Sequence, residues 1–337
     1  MQSLTGSSFC SKPAALTAKR QSGCRSPARR QLCCRAEAQK ERNLIGVHVN
    51  TFTGTWEKSD IEYTAKGAQK AGFDLIEVNV SEPEKVDAEL TKSILADHGL
   101  QASASLGLSR ATDVSNPETA AAGKELLTNA MKKLSQFGGK YMMGVTFCAM
   151  DKYREPCSKE QYQSSVKSIK EMSKVASDLG LTLGLEVINR YESNILNTGH
   201  QALHMIKDIG APNVVVHLDT YHMNIEEASM SKAIRNCQAA GRLGYFHVGE
   251  SHRGYMGSGS IDWPPVWAAL VESGYTGPIT FESFSSKVVS PSLSNTLCVW
   301  RNLWEDSDDL AAQSREFIQA GLTTARRMQR LTAGQVD

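Results

Sequence analysis

From about residue 43 the chain alternates short apolar, β-branched runs with longer stretches whose apolar residues recur every three or four positions. The runs predict strands at Leu44 to Asn50, Phe73 to Val80, Leu100 to Leu106, Lys140 to Thr146, Leu181 to Ile188, Val214 to Thr220, Gly244 to Gly249 and Pro278 to Phe284. Each precedes a helical pattern, which is the signature of a parallel sheet with crossover helices. Between Gln161 and Leu179, for instance, Val166, Ile169, Met172, Val175 and Ala176 share one helix face, as a surface helix packed on a sheet requires. Gly72, Gly99, Gly180, Gly210 and Gly274 fall just before the next strand, where left-handed helix caps are expected. Asp308 to Arg330 predicts the last helix. Eight such units predict an α/β fold, a parallel eight-stranded (β/α)8 TIM barrel in one domain over residues 43–330, with 331–337 as a C-terminal tail.

The length of 337 residues fits one barrel of about 250 residues with terminal extras. A chain that is 41% apolar and 22% charged can build a core and lies outside the composition of disordered proteins. No apolar run approaches the roughly 18 residues of a spanning helix, so no membrane partner is expected. The net charge of +1 conceals an asymmetry: residues 1–36 carry Lys12, Lys19, Arg20, Arg25, Arg29, Arg30 and Arg35, but no acid precedes Glu37. An arginine- and serine-rich, acid-free beginning reads as a chloroplast transit peptide, which would deliver the protein to the stroma. A basic arm for nucleic acid is the competing reading. It is disfavoured because 37 basic residues less those seven leave 30 against 36 acidic ones, an acidic body that does not suit a polyanion. Four cysteines lie in the first segment and Cys148, Cys157, Cys237 and Cys298 are scattered, which supports neither a zinc ribbon nor a disulfide framework.

Catalytic groups of such barrels stand at the C-terminal ends of strands. The fifth apolar run ends with Glu186, the sixth with Asp219, the seventh with His247 and the eighth with Glu282, at separations of 33, 28 and 35 residues. Four consecutive strands would thus each aim one possible metal ligand into the same mouth. Three carboxylates and one imidazole favour Mn²⁺, Mg²⁺ or Co²⁺ over a thiolate-seeking metal, with zinc still open. A single carboxylate at a strand end is more often a cap or a loop ion pair. Four in register are harder to assign to structure alone, because acids flanked by Leu and Val need partners to offset their desolvation.

The strings Leu185-Glu186-Val187-Ile188-Asn189-Arg190-Tyr191-Glu192, Leu218-Asp219-Thr220-Tyr221-His222-Met223-Asn224, Phe246-His247-Val248-Gly249-Glu250-Ser251-His252-Arg253 and Phe281-Glu282-Ser283-Phe284 carry a family resemblance. Over residues 43–330 the chain resembles the D-tagatose 3-epimerase-type ketose epimerases. The resemblance implies epimerisation of a ketose of the D-tagatose, D-fructose/D-allulose or L-ribulose class at carbon 3, through a cis-enediolate. It implies Glu186, Asp219, His247 and Glu282 as ligands of a divalent metal, foremost Mn²⁺. Glu186 and Glu282 would also be the catalytic pair, one removing the carbon 3 proton and the other returning a proton to the opposite face. Glu192, His222 and Arg253 would hold the oxygens on carbons 1 and 2, and a homodimer or homotetramer is the implied assembly. Independently of the family, a proton beside a ketone is weakly acidic, and a bound cation together with a carboxylate in reach makes its removal feasible.

Other readings stay open at this level. The same scaffold could run aldose-ketose or hydroxypyruvate-type isomerisation, or bind a sugar without turning it over. His48-Val49-Asn50-Thr51-Phe52 is less aromatic than the resemblance implies for the part of the pocket over carbons 4 to 6. Arg253 to Trp263 is glycine-rich but lacks the lysine of a nucleotide loop, so no organic cofactor is expected. It reads as a mobile active-site loop, with a phosphate contact through its amides as a lesser option. Phe147 and Tyr153 either wall the substrate or pack the loop.

Overall fold

The computed structural model describes residues 42–334. The expected transit peptide, residues 1–36, lies outside the described residues, as do residues 335–337 of the expected tail. Eight parallel strands close in chain order: β1 (Ile45–His48), β2 (Leu75–Asn79), β3 (Gln101–Leu108), β4 (Tyr141–Ala149), β5 (Thr182–Glu186), β6 (Val214–Asp219), β7 (Leu243–Val248) and β8 (Ile279–Phe281). Pairing of Ile45 with Ile279 and of Val47 with Phe281 shuts the ring. The helices are α1 (Lys58–Ala71), α2 (Ala88–Asp97), α3 (Ala120–Gln136), α4 (Lys159–Asp178), α5 (Gly199–Ile209), α6 (Thr220–Glu226), α7 (Met230–Ala239), α8 (Trp263–Glu272), α9 (Pro291–Thr296) and α10 (Ser307–Ala333).

Each element has a local cause. α4 begins where the Ser158 side chain accepts the Gln161 amide, and α10 where Asp306 accepts the amides of Asp308 and Asp309, which satisfies donors a helix start leaves unpaired. α10 runs on to Ala333, past the predicted end at Arg330. The five predicted cap glycines all have φ between 67° and 84°, a region costly for other residues. Strand residues of one parity, such as Leu183, Leu185, Val216, Leu218, Phe246 and Val248, join Ile169, Met172, Met205 and Ile206 of the helices in one buried layer. Leu75, Met143 and Tyr245, of the other parity, form a separate cluster on the barrel axis, as closure of alternating strands dictates.

Several strand ends differ from the prediction by two or three residues, and those of β1 and β8 share a reason. β1 leaves the sheet after His48 through a single 3-10 turn, Val49–Thr51. Glu282 therefore has β7 on one side, where its amide donates to the Val248 carbonyl at 3.0 Å, and no strand on the other. β8 stops at Phe281 rather than Phe284, and Glu282 is released into the mouth.

Gly144 in β4 has φ 97°, and a Cβ there would lie 2.2 Å from the Leu106 carbonyl oxygen of β3. Gly144→Ala combines a disfavoured backbone region with a main-chain clash and should cost about 2–3 kcal/mol. In thermal denaturation followed by circular dichroism this is a Tm lower by roughly 3–5 °C.

Candidate active site

Alternation along the strands decides which residues meet. With Leu183 and Leu185 facing the helices, Gly184 and Glu186 of β5 face the axis; with Leu218 outward, His217 and Asp219 of β6 are axial. The same parity turns Tyr245 and His247 of β7 inward, and Glu282 follows Thr280. Asp219 is oriented further by helix capping: its Oδ1 accepts the Tyr221 amide at 2.7 Å at the start of α6, which leaves Oδ2 for the mouth.

One ligand atom from each of Glu186, Asp219, His247 and Glu282 lies within 4.8 Å of the others, and all four residues are buried. His247 Nδ1 stands 3.6 Å from both Glu186 Oε1 and Glu282 Oε1. Neither His247 Nδ1 nor Asp219 Oδ2 has a hydrogen-bond partner, although both atoms are buried. A buried polar atom without a partner is costly, and two of them aimed at one point fit a cation. The charge count agrees. Among the described residues, Arg253 is the only arginine or lysine within 4.0 Å of these carboxylates. Burial is the main force raising the Glu186 carboxyl above its usual range; His247 pulls it down, and Asp219 and Glu77 push it up. Burial likewise lifts Glu282 to about 8, against the pull of His247 and Arg253 and with the push of Glu186 and Asp219. A divalent ion held by three carboxylates and one imidazole would relieve this excess of negative charge.

The three predicted substrate contacts surround the same point. His222 sits one turn into α6, with Nε2 3.8 Å from Asp219 Oδ2 and 4.0 Å from Glu186 Oε1. Its Nδ1 accepts the backbone amide of Asn189 at 3.1 Å, and Arg253 NH2 donates to its Nε2 at 3.2 Å. Neutral is the expected form, because burial, with Arg253 nearby, holds His222 well below the ordinary histidine value. Asn189 also donates to Glu192 Oε1 at 2.7 Å. Burial raises the Glu192 carboxyl, opposed by Arg253 and by that bond. Arg253 places NH1 3.2 Å from Glu282 Oε2 and NH2 3.7 Å from Asp219 Oδ2. Its guanidinium lies 4.0 Å over the Tyr221 ring and 4.6 Å over Phe284, flanked by π faces that favour a cation.

Arg253 adopts φ 59°, which is uncommon for a side-chain-bearing residue, and the loop around it explains why it is held. Inside that loop the buried Glu250 carboxylate accepts the amides of Ser251 at 2.8 Å, Gly257 at 2.9 Å and Ile261 at 3.4 Å, and the Trp263 indole at 3.0 Å. Burial opposes ionisation of Glu250, but these donors together hold its carboxyl below the usual range. The Gly254 amide goes to His252, that of Ser258 to the Tyr255 carbonyl and that of Ser260 to Ser251. The segment expected to be mobile is thus knitted around an internal acid, and several of the amides considered for a phosphate are already engaged.

Two axial residues escaped the sequence reading, and a third, His48, entered it only as part of the segment near carbons 4 to 6. Glu77 of β2 accepts from His247 Nε2 at 2.9 Å, and both side chains are fully buried. His217 lies edge-on to the His247 ring, centroids 4.1 Å apart, and its Nδ1 is 4.0 Å from Glu186 Oε2. His48 Nε2 is 3.9 Å from Glu77 Oε1 and 3.3 Å from Ser105 Oγ. Parity was the available signal, since Glu77 stands two residues after axial Leu75, and His217 two before Asp219. Phe147, by contrast, is wholly buried in the helical layer, and Tyr153 bonds to the Ala149 carbonyl and to Asp113. Both pack structure.

Residues 65–326 match the family model of the xylose isomerase-like TIM barrel. An L-ribulose 3-epimerase of Methylomonas sp. (strain DH-1) is 49% identical over 281 residues, 83% of this chain and 98% of that relative. This chain belongs to the ketose 3-epimerases. A ketose 3-epimerase of Arthrobacter globiformis is 47% identical, over 84% of this chain and 98% of its own. The crystal structure of a D-allulose 3-epimerase from Methylomonas sp. in complex with D-allulose superposes with a TM-score of 0.81 at 48% identity, covering 83% of this chain and 97% of that one.

Proposed function

We propose that this protein inverts carbon 3 of an unphosphorylated ketose, with Glu186 and Glu282 as the two proton-transfer groups. The observation that carries this is the meeting of Glu186, Asp219, His247 and Glu282 at one point with two orphaned atoms aimed at it. These four would hold a divalent ion, Mn²⁺ on the donor set with Co²⁺ or Mg²⁺ as substitutes, which supplies positive charge to offset the anion that forms beside the carbonyl. Glu186 ends β5 and Glu282 follows β8, with β6 and β7 between them, so carbon 3 would lie between their carboxylates. One takes the carbon 3 proton, the carbon becomes planar, and the other delivers a proton from the far side. His222 and Arg253 orient the oxygens of carbons 1 and 2, with Glu192 accepting a hydrogen bond from a hydroxyl.

The same reading sends the protein to the chloroplast stroma through residues 1–36 and has it assemble as a homodimer or homotetramer. An unphosphorylated substrate is favoured because the loop amides of Gly257 and Ile261 serve Glu250 and those of Arg253, Gly254, Ser258 and Ser260 are bonded within the loop. Incubation of Mn²⁺-loaded protein with D-fructose, D-tagatose and L-ribulose and with their phosphates tests the proposal by chromatography. The expected products are the carbon 3 epimers of the free sugars; aldose products, or turnover confined to the phosphates, would overturn it. Arg253→Ala should raise KM about ten- to a hundredfold, from loss of a charged hydrogen bond of about 1.5–3 kcal/mol, and change kcat less. Steady-state kinetics at saturating metal measures the split.

A further inference from the structure

We infer that Glu77 is a positioning residue: by accepting the Nε2 proton of His247 it fixes the ring so that Nδ1 faces the other three ligands. This rests on the reading that Glu186, Asp219, His247 and Glu282 hold a divalent ion. The imidazole of His247 must present a bare nitrogen to a cation, and which nitrogen that is depends on where its single proton is held. Nδ1 is the atom 3.6 Å from both glutamates and has no hydrogen-bond partner, while Nε2 lies 2.9 Å from Glu77 Oε2. Glu77 and His247 are both fully buried, so water offers no competing acceptor.

The ring is held on other sides too. The edge-on His217 ring lies 4.1 Å away and Tyr245 5.7 Å away, so rotation that would exchange the two nitrogens meets packed aromatic atoms. Tyr245 is itself pinned by Ser103 at 2.7 Å and Thr280 at 2.8 Å. Below the carboxylate, His48 stands 3.9 Å from Glu77 Oε1 and is anchored by the Asn50 amide at 3.2 Å and by Ser105. The axial residues of β1, β2, β3, β6 and β7 thus form a polar floor. Glu77 is its link to the ligand set, and it places a further negative charge behind His247 without touching substrate. Acceptors behind a metal-bound histidine typically contribute 10- to 100-fold in metal affinity.

The test is titration of metal-free protein with Mn²⁺ by calorimetry and with Co²⁺ by visible absorption, for wild type, Glu77→Gln and Glu77→Asp. Gln keeps an acceptor without the charge, and Asp keeps the charge but draws it away from Nε2. Wild type should bind one equivalent. Both variants should bind about 10- to 100-fold more weakly, with an altered Co²⁺ band at saturation that a merely structural role would not produce. Wild-type affinity and spectrum in both folded variants overturn the inference about Glu77, whereas failure of wild type to bind overturns the reading beneath it. A measurement independent of variant folding is ¹⁵N-histidine NMR of Zn²⁺-loaded wild type. His247 should carry its proton on Nε2, and a proton on Nδ1 with metal bound would refute the assignment.

Discussion

Glu186→Gln and Glu282→Gln each lower kcat by about 10²–10⁴-fold at saturating metal, the range expected for loss of one general acid or base. Glutamine preserves shape and can still face the site, so the loss reports proton transfer rather than collapse. Both carboxyls are buried and lifted above their usual range, which brings a carboxyl nearer to proton-transfer duty at neutral pH. Inversion needs a donor on the face opposite the base, so neither glutamate substitutes for the other. Near wild-type kcat in either variant, measured with Mn²⁺ in excess and an unchanged circular dichroism spectrum, would remove that residue from the reaction.

Thorough chelation should abolish turnover and lower Tm, and Mn²⁺, Co²⁺ or Mg²⁺ should restore both. At a free metal concentration about a hundredfold above Kd the stabilisation is about 2.7 kcal/mol, or roughly 4 °C for a domain of this size. The effect depends on pH with a definite sign. Burial first, then Glu186 and Asp219, lift Glu282 from its ordinary 4.5 to about 8 despite His247 and Arg253. A carboxyl whose folded value is raised contributes stability that is complete below the unfolded value and is lost as pH climbs through the folded one. The metal-free protein is therefore weakened between about pH 4.5 and 8, while the cation binds the ionised form and gains affinity over the same interval. The Tm increment from metal should be larger at pH 8 than at pH 6 in differential scanning fluorimetry. An equal increment, or full activity after chelation, would contradict the assigned site.

The barrel was legible because each strand is an apolar run buried on both faces and each predicted cap glycine lies where a helix must reverse. The four meeting residues were legible because each ends such a run, where a polar side chain breaks the pattern visibly. Glu77 and His217 were not, because each sits inside its run, and only the two-residue alternation along a closed barrel shows that it faces the axis. Capping by Asp219 likewise hides α6, too short for periodicity to reveal, which is why His222 stood out only through the family string. The loop from Arg253 was misread from composition: glycine and serine predict mobility, but Glu250 spends its lone pairs on the loop amides and the Trp263 indole. Phe284 and Tyr221 flank Arg253 through contacts that no sequence spacing encodes.

In the proposed reaction a proton leaves carbon 3 on one side and another arrives on the opposite side from a carboxyl open to exchange. Turnover of the ketose in D2O by the Mn²⁺-loaded protein, followed by NMR during the first turnovers, reads this directly. Deuterium should accumulate at carbon 3 of the newly formed epimer, with the carbon 1 protons untouched. Label at carbon 1 of the ketose or carbon 2 of an aldose, or an epimer that retains its original carbon 3 proton, would contradict it.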